Sequence, residues 1–454
     1  MIDKFPYGKA PFWLFAIAVA STLLAVTVRG KKPPRADLVM VTFTEAHFKE
    51  YQRAIPRFER EHQLRVELEF SDWGSLQRRL QNAMLAGVDV PDVVEMIESS
   101  LGLFTRGPEK DFGFLDLTER VHAEKLDERL VSSRFALWTA RGKIYGIPHD
   151  VHPIMLAYRR DIIEKLGIDV TQLDTWDKFV EVGRRITKDL DGDGNPDRYM
   201  LEMPANGGWA LQALMLQLGG GLFTADGEVN IVNPATEKAM LWYLRQSRGK
   251  HRIGYDVGWG QPVMKSLSDG LVLFYWTPDW RSYWFEMHAP KNKGKMGLIP
   301  LPAFEKGGRR TSVWGGAGVS IARNTKHPDE AWELVKFLYF EKSELEGRFK
   351  GTNILPPLKE AWQMPGFRQP NPYYAGQHIG EDYAALAPST PPVYTAPVHS
   401  YAGGKLDEAL FRSAEYYEKH GEKGLVEKVR QELRRTQNEI EILAYRNHVL
   451  EKAR

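Results

Sequence analysis

Short apolar runs and amphipathic stretches alternate along the chain from residue 37 onwards. Asp37–Thr44, Leu64–Phe70 and Asp92–Met96 predict strands. Between them, His47–Gln63 sets Phe48, Tyr51, Ile55 and Phe58 at helical spacing, and Leu76–Ala86 predicts a second helix ended by Gly87. Strand–helix–strand–helix–strand order predicts a parallel sheet with right-handed crossovers. Phe114–Thr118 and Val121–Phe135 predict a helical layer, and Tyr145–Asp150 an extended crossing. Ile154–Tyr158, a short helix at Asp161–Leu166 and a helix at Lys178–Thr187, with Thr175 as its N-cap, open a second α/β unit near residue 150. Helices at Trp209–Leu218, Pro234–Arg245 and Val263–Asp269 continue it. Met296–Leu301 predicts a strand that returns to the first unit, followed by a glycine-rich strand start at Ser312–Ile321 and an amphipathic helix at Pro328–Phe340. Residues 363–402 predict a long irregular segment, and Lys405 onwards is helical with a break at Gly421–Gly424.

Pro11–Val28 carries no charge. Eighteen helical residues span about 27 Å, just enough for a bilayer core. A cleaved signal peptide and an uncleaved anchor both fit. The length of the run and the lack of a small-x-small site at its end favour the anchor. Against export, Arg29, Lys31, Lys32 and Arg35 outnumber the basic residues before the span, which the positive-inside rule would keep in the cytoplasm. The chain has no cysteine, which excludes disulfides, thiolate metal sites, a Cys nucleophile and a lipidated Cys anchor. A net charge of +2 without a dense Lys/Arg run gives no argument for nucleic acid.

The stretch Gly270–Trp284 concentrates candidate chemistry. Leu271–Phe274 predicts a buried strand, Thr277-Pro278 breaks it, and Trp276, Asp279 and Trp280 then fall just past a strand's carboxyl end, where open α/β sheets hold ligands. Flat indoles beside Asp and Arg suit a sugar, whose C–H faces stack on aromatics while its hydroxyls take charged partners. Ordinary core aromatics share this composition. Trp314 stands beside three glycines, Gly315, Gly316 and Gly318, that let backbone approach a ligand. Asp189–Asp197 (DLDGDGNPD) has the spacing of the front half of a Ca²⁺ loop, with Asp189, Asp191, Asp193, Asn195 and Asp197 as candidate ligands and Gly194 at the turn. Met200 stands where the bidentate twelfth ligand belongs, and Glu202 lies two residues later. An ion-free Asx-rich turn is the alternative. Twelve scattered histidines show no HExxH or paired zinc spacing.

Taken in order, PDVV (Pro91–Val94), YGIP (Tyr145–Pro148), LAYRRDI (Leu156–Ile162), Thr175-Trp176, DLDGDGNPD, DGLVLFYWTPDW (Asp269–Trp280), GLIPLP (Gly297–Pro302), GGAGVSI (Gly315–Ile321) and PDEAWELVKFL (Pro328–Leu338) resemble the extracellular solute-binding proteins of carbohydrate-uptake ABC transporters, family 1, the maltose- and multiple-sugar-binding group. The resemblance covers about residues 37–350. It implies a two-lobed periplasmic-binding-protein-like α/β fold of type II, each lobe a mostly parallel sheet flanked by helices. Residues 1–36 are expected as anchor or signal segment and tether, 37–149 plus 295–341 as one lobe, and 150–294 plus 342–454 as the other. It further implies a carbohydrate held between the lobes, delivery to permease subunits, a monomer at the extracytoplasmic membrane face, no required cofactor and no catalysis. Glu45, Trp73, Asp150 and Trp209 join Trp276, Asp279, Trp280 and Trp314 as expected ligand contacts. A ligand-sensing ectodomain, and a phosphate ester or polyamine as solute, stay open. An extracellular glycosidase would need two carboxylates about 5–10 Å apart, and no nucleophile motif stands in the chain.

Overall fold

The structure is a computed structural model that describes residues 10–27, 36–86, 90–189, 191–193 and 196–452. Helix α1, Ala10–Thr27, precedes the folded body. Its side chains are described from Phe12 to Thr22, and among the described residues no helix is long and apolar enough to cross a membrane.

The first sheet begins as the apolar pattern predicts. Strands β1 (Leu38–Thr42), β2 (Val66–Phe70) and β3 (Val93–Ile97) are joined by α2 (Glu45–His62) and α3 (Trp73–Ala86). Thr44 caps α2 by accepting from the His47 N–H, a contact type that contributes about 1 kcal/mol. Tyr51, Ile55 and Phe58 form one stripe on α2 and bury against Leu38, Met40 and Val93. Each such side chain contributes roughly 1.5–3 kcal/mol on leaving water. The expected helix over 121–135 is instead broken into short turns, with Lys125 at φ 54° between Thr118–Ala123 and Leu126–Arg129.

Strand β4 (Ile147–Pro148) ends the first passage, and the chain crosses to β5 (Ile154–Arg159). Helix α4 (Trp176–Ile186) follows, with Thr175 as its N-cap as expected. Then come β6 (Tyr199–Glu202), α5 (Gly208–Gln217), α6 (Pro234–Ser247), β7 (Gly254–Tyr255), β8 (Val272–Pro278), α7 (Asp279–His288) and β9 (Met296–Pro300). Strand β10 (Ala317–Ile321), α8 (Pro328–Phe340), α9 (His399–His420) and α10 (Leu425–Lys452) complete the elements that matter here.

Two five-stranded sheets result, ordered β2-β1-β3-β10-β4 and β9-β5-β8-β6-β7. Both are mixed rather than mostly parallel. The parallel pairs lie within each unit, β1 with β2 and β3, and β6 with β7 and β8. The antiparallel pairs all involve β10 or β5, strands the chain enters from the other lobe and so from the opposite direction.

Residues 296–301 do not return to the first unit. Met296–Pro300 pairs antiparallel with β5 at the edge of the second sheet, and the return comes one strand later, at β10. An apolar run such as MGLIP specifies that a strand is buried, not which neighbour it joins. The first-lobe expectation for residues 295–300 is therefore corrected. Lys342–Thr352, expected with the second lobe, buries Leu345 and Phe349 in a core that runs through both lobes, and its Glu344 pairs with Arg57 of α2 in the first lobe at 3.0 Å. Helices α9 and α10 do join the second lobe, burying Leu406, Leu410, Val429, Leu433 and Ile440 with Leu211 and Leu244.

Candidate functional site

Three crossing segments meet between the sheets, around Asp150 and His152. The Ala317 N–H donates to Asp150 Oδ2 at 2.8 Å, Ile154 N–H donates to the Ser312 carbonyl, and Val151 N–H donates to the Leu355 carbonyl. His152 sits at φ 55°, a left-handed conformation uncommon for a residue with a Cβ. Its Nε2 lies 3.1 Å from Asp150 Oδ2 and its Nδ1 2.5 Å from Asp279 Oδ1. The second Asp279 oxygen accepts from the Leu355 N–H at 2.7 Å. One imidazole thus clasps a crossing segment to the start of α7, and Asp150 and Asp279 are both fully buried.

Charge explains the clasp. Burial pushes the His152 imidazole down, but the Asp150 and Asp279 carboxylates beside it raise it to about 10, so it is an imidazolium at neutral pH. Burial alone would raise Asp150. The adjacent His152 charge and the hydrogen bonds from His149 and His152 hold it well below the usual carboxylate range.

Helix α7 carries the clasp into an aromatic wall. Trp280 and Trp284 are four residues apart and share one helix face. Trp284 stacks on Trp259 with centroids 5.1 Å apart and rings 16° from parallel. Trp209, at the start of α5, stacks on Trp314 at 3.7 Å and 6°. Trp280 meets Trp314 edge-on at 5.0 Å and donates its indole N–H to the Trp314 carbonyl at 3.3 Å. Behind the wall, buried Arg281 is the hub. Its Nη1 and Nη2 donate to the two oxygens of buried Glu202 at 2.6 and 2.8 Å, and Nη1 also donates to the Trp276 carbonyl. The guanidinium carbon lies 5.2–5.9 Å from the Trp209, Trp259, Trp284 and Trp314 rings, within cation–π range.

Across Gly315-Gly316, the first lobe presents Glu98 and Arg134. Gly315 takes φ 89°, and a Cβ on Gly316 would come 2.4 Å from Arg134 Nη2 and 3.3 Å from Glu98 Cβ. Only glycine lets these groups approach so closely. Arg134 donates to the Asp150 and Gly315 carbonyls at 3.2 Å each. Arg134 Nη1 and Glu98 Oε2 are enclosed without a hydrogen-bond partner. Burial, with the Asp150 charge adding to it, pushes the Glu98 carboxyl up to about 7. An enclosed donor and an enclosed acceptor, reached through the glycines that follow Trp314, are groups a hydroxylated ring would satisfy.

The expected contacts sort into four sets. Trp209, Trp280 and Trp314 lie in the wall. Asp150 and Asp279 lie in the clasp, saturated by protein partners. Trp276 lies in the core: it is fully buried, packs against Trp176 and Trp209, and donates its indole N–H to the Glu202 carbonyl. Strand β8 runs on through Pro278, four residues past the expected end at Phe274 and through the expected break at Thr277-Pro278, so Trp276 lies within the strand and is buried. Glu45 is exposed on the first turn of α2 and pairs with Lys49, and Trp73 packs edge-on against Phe43. Both belong with the carboxyl end of the first sheet rather than with the wall.

Glu98, Arg134, His152 and Trp259 are not among the sequence candidates, and Trp284, though inside the Gly270–Trp284 stretch, is not among the expected contacts. Only His152, two residues after Asp150, and Trp284, one helical turn after Trp280, carried a local signal. A cavity of about 1120 Å³ lies elsewhere, between α4, α6 and α10, and is rimmed by Arg184, Arg245 and Arg430. Two of those arginines already pair with Glu422 and Glu237, and the enclosed unpaired atom in its lining is the neutral amide oxygen of Gln246 rather than a charged group.

In the acidic loop, one carboxylate oxygen each from Asp189, Asp191 and Asp197 lies within 4.8 Å of the others. All three are exposed, and they also accept loop N–H groups, such as Gly192 N–H on Asp189. Asp193 is outside this group, and Asn195 lies outside the described residues. Glu202 is no substitute twelfth ligand, because Arg281 holds both its oxygens.

Residues 44–344 match the family described as bacterial extracellular solute-binding protein. An arabinooligosaccharide-binding protein of Halalkalibacterium halodurans is 24% identical over 353 residues, 76% of each chain. One of Bacillus subtilis is 25% identical over 351 residues, 75% of this chain and 78% of that one. Among solved structures, the sugar-binding protein MalE of Xanthomonas citri superposes with a TM-score of 0.74 at 18% identity, over 91% of this chain and 99% of its own.

Proposed function

Because the chain belongs to the bacterial extracellular solute-binding proteins, we propose that it binds an oligosaccharide between its lobes and hands it to an ABC permease. The observation that carries the sugar reading is the indole wall of Trp209, Trp259, Trp280, Trp284 and Trp314, which Gly315-Gly316 joins to the first lobe's Glu98 and Arg134, each with an enclosed unpartnered atom. The names of the relatives, arabinooligosaccharide-binding and lactose-binding proteins, support the same substrate class. Sugar rings stack on the indoles, and hydroxyls pair with the carboxyl and guanidinium groups. Binding draws the lobes together about the segments that meet at His152, a hinge motion. The protein acts as a monomeric receptor and not as an enzyme, on the extracytoplasmic side that the family description names. Attachment through the uncharged run Pro11–Val28 is tested by whether the membrane-bound protein retains residues 1–27.

The test is a thermal-shift and calorimetric titration of the full chain with arabino-oligosaccharides, malto-oligosaccharides and lactose. A ligand at a hundredfold excess over its Kd adds about 2.7 kcal/mol to apparent stability. A saturable shift with the sugar recovered intact supports the proposal. No shift with any carbohydrate, or recovery of a cleaved sugar, overturns it. The Asp189–Asp197 loop is carried forward as a structural Ca²⁺ site with Asp189, Asp191 and Asp197 as ligands. A Ca²⁺-dependent rise in Tm that Asp191→Asn removes would support it, and a Tm unaffected by Ca²⁺ or chelator would refute it.

A further inference from the structure

On the first-lobe side of the hinge, His47, Glu95 and His149 meet away from solvent. His47 comes from the first turn of α2, Glu95 from the middle of β3, and His149 from the crossing segment just before Asp150. Their exposures are 4%, 0% and 0%. One donor atom from each lies within 4.8 Å of the other two, and His47 Nδ1 stands 3.1 Å from Glu95 Oε2. His149 Nε2 is enclosed and has no hydrogen-bond partner. A buried polar nitrogen is seldom left so, and an unpaired one calls for a ligand or a proton partner.

We propose that His47, Glu95 and His149 bind one divalent transition-metal ion of the zinc type. Two imidazoles and a carboxylate are a donor set zinc accepts, with water as the fourth ligand. Donors about 2.0–2.1 Å from a tetrahedral ion lie roughly 3.3 Å from one another, so the His47–Glu95 pair already has the spacing, and His149 stands within 4.8 Å to complete the triangle. The surroundings are those of a supported metal site. His149 Nδ1 faces Asp150 Oδ2 at 3.3 Å, which fixes the ring and leaves Nε2 free to ligate. Tyr51 and Tyr339 donate to Glu95 Oε1 at 2.5 and 2.8 Å, and the Thr42 hydroxyl donates to Oε2. The ion would tie α2 and β3 to the crossing that carries Asp150. This site is independent of the sugar reading and distinct from the exposed, all-oxygen Asp189–Asp197 loop.

The test uses the full chain, stripped with chelator and titrated with Co²⁺, followed by metal analysis after gel filtration in Zn²⁺. The expected result is one ion per chain and a tetrahedral Co²⁺ visible spectrum that Zn²⁺ abolishes by displacement. His149→Ala and Glu95→Gln should each weaken affinity at least about a hundredfold with the circular dichroism unchanged, while Asp191→Asn in the acidic loop leaves it intact. If both variants misfold, the wild-type stoichiometry and spectrum decide. A wild type that holds no Zn²⁺ and gives no tetrahedral Co²⁺ spectrum would overturn the proposal, as would a folded His149→Ala that binds as tightly as wild type.

Discussion

Replacing His152 by Asn removes the cation that holds Asp150 to Asp279. Asn tolerates the left-handed backbone at φ 55°, so the substitution isolates the charge from the geometry. Two routes give its magnitude. From the ordinary 6.5 to about 10, at about 1.36 kcal/mol for each pH unit, the imidazolium carries about 5 kcal/mol. Removing one partner of a buried pair costs roughly 3–5 kcal/mol by mutational precedent. The sign follows from linkage. A folded pKa raised above the unfolded one stabilises fully below pH 6.5, and that stability is lost as pH rises through about 10. Urea unfolding of wild type and His152→Asn from pH 6 to 10 should therefore show a gap of about 3–5 kcal/mol at pH 6 that narrows steadily towards pH 10. A gap below about 1 kcal/mol, or one constant across that range, would refute the clasp.

Trp280→Ala should weaken oligosaccharide affinity about five- to tenfold, on the order of 1 kcal/mol of stacking, with little change in Tm. Trp276→Ala should do the reverse, costing about 3–5 kcal/mol of stability through a core cavity, as chemical denaturation would report. Arg281→Met should cost about 3–5 kcal/mol by stranding the Glu202 carboxylate, and adding Glu202→Leu should recover most of it; a double-mutant cycle in urea that comes out additive would contradict the pairing. Glu98 has a raised folded pKa, so its ionisation destabilises the fold as pH rises from about 4.5 to about 7. Glu98→Gln should thus unfold at a higher temperature than wild type above pH 7 while binding sugar more weakly.

Much of the fold was legible because its strands and helices carry strong local periods. Thr175 as a cap, Tyr51-Ile55-Phe58 as a buried stripe and the first five alternating elements needed no tertiary knowledge. Partner choice was not legible. Nothing in Met296–Pro300 says that β5 rather than the first sheet offers the open edge. The same limit governed the site. Strand alternation decides whether an indole meets core or cleft, and an expected strand end at Phe274 rather than Pro278 placed Trp276 beyond a strand that contains it. Trp209 and Trp314 are over a hundred residues apart, as are Asp279 and His152, and such pairings exist only once the crossings converge. Glu98 and Arg134 gave no motif at all; what distinguishes them is an enclosed atom left without a partner.

The most direct measurement is a crystal structure of the full chain with the oligosaccharide that binds most tightly in the titration. The account predicts a sugar ring against Trp280 and Trp314, with hydroxyls on Glu98 Oε2 and Arg134 Nη1. A sugar seated instead in the groove between α4, α6 and α10, or one that leaves Glu98 and Arg134 untouched, would contradict it.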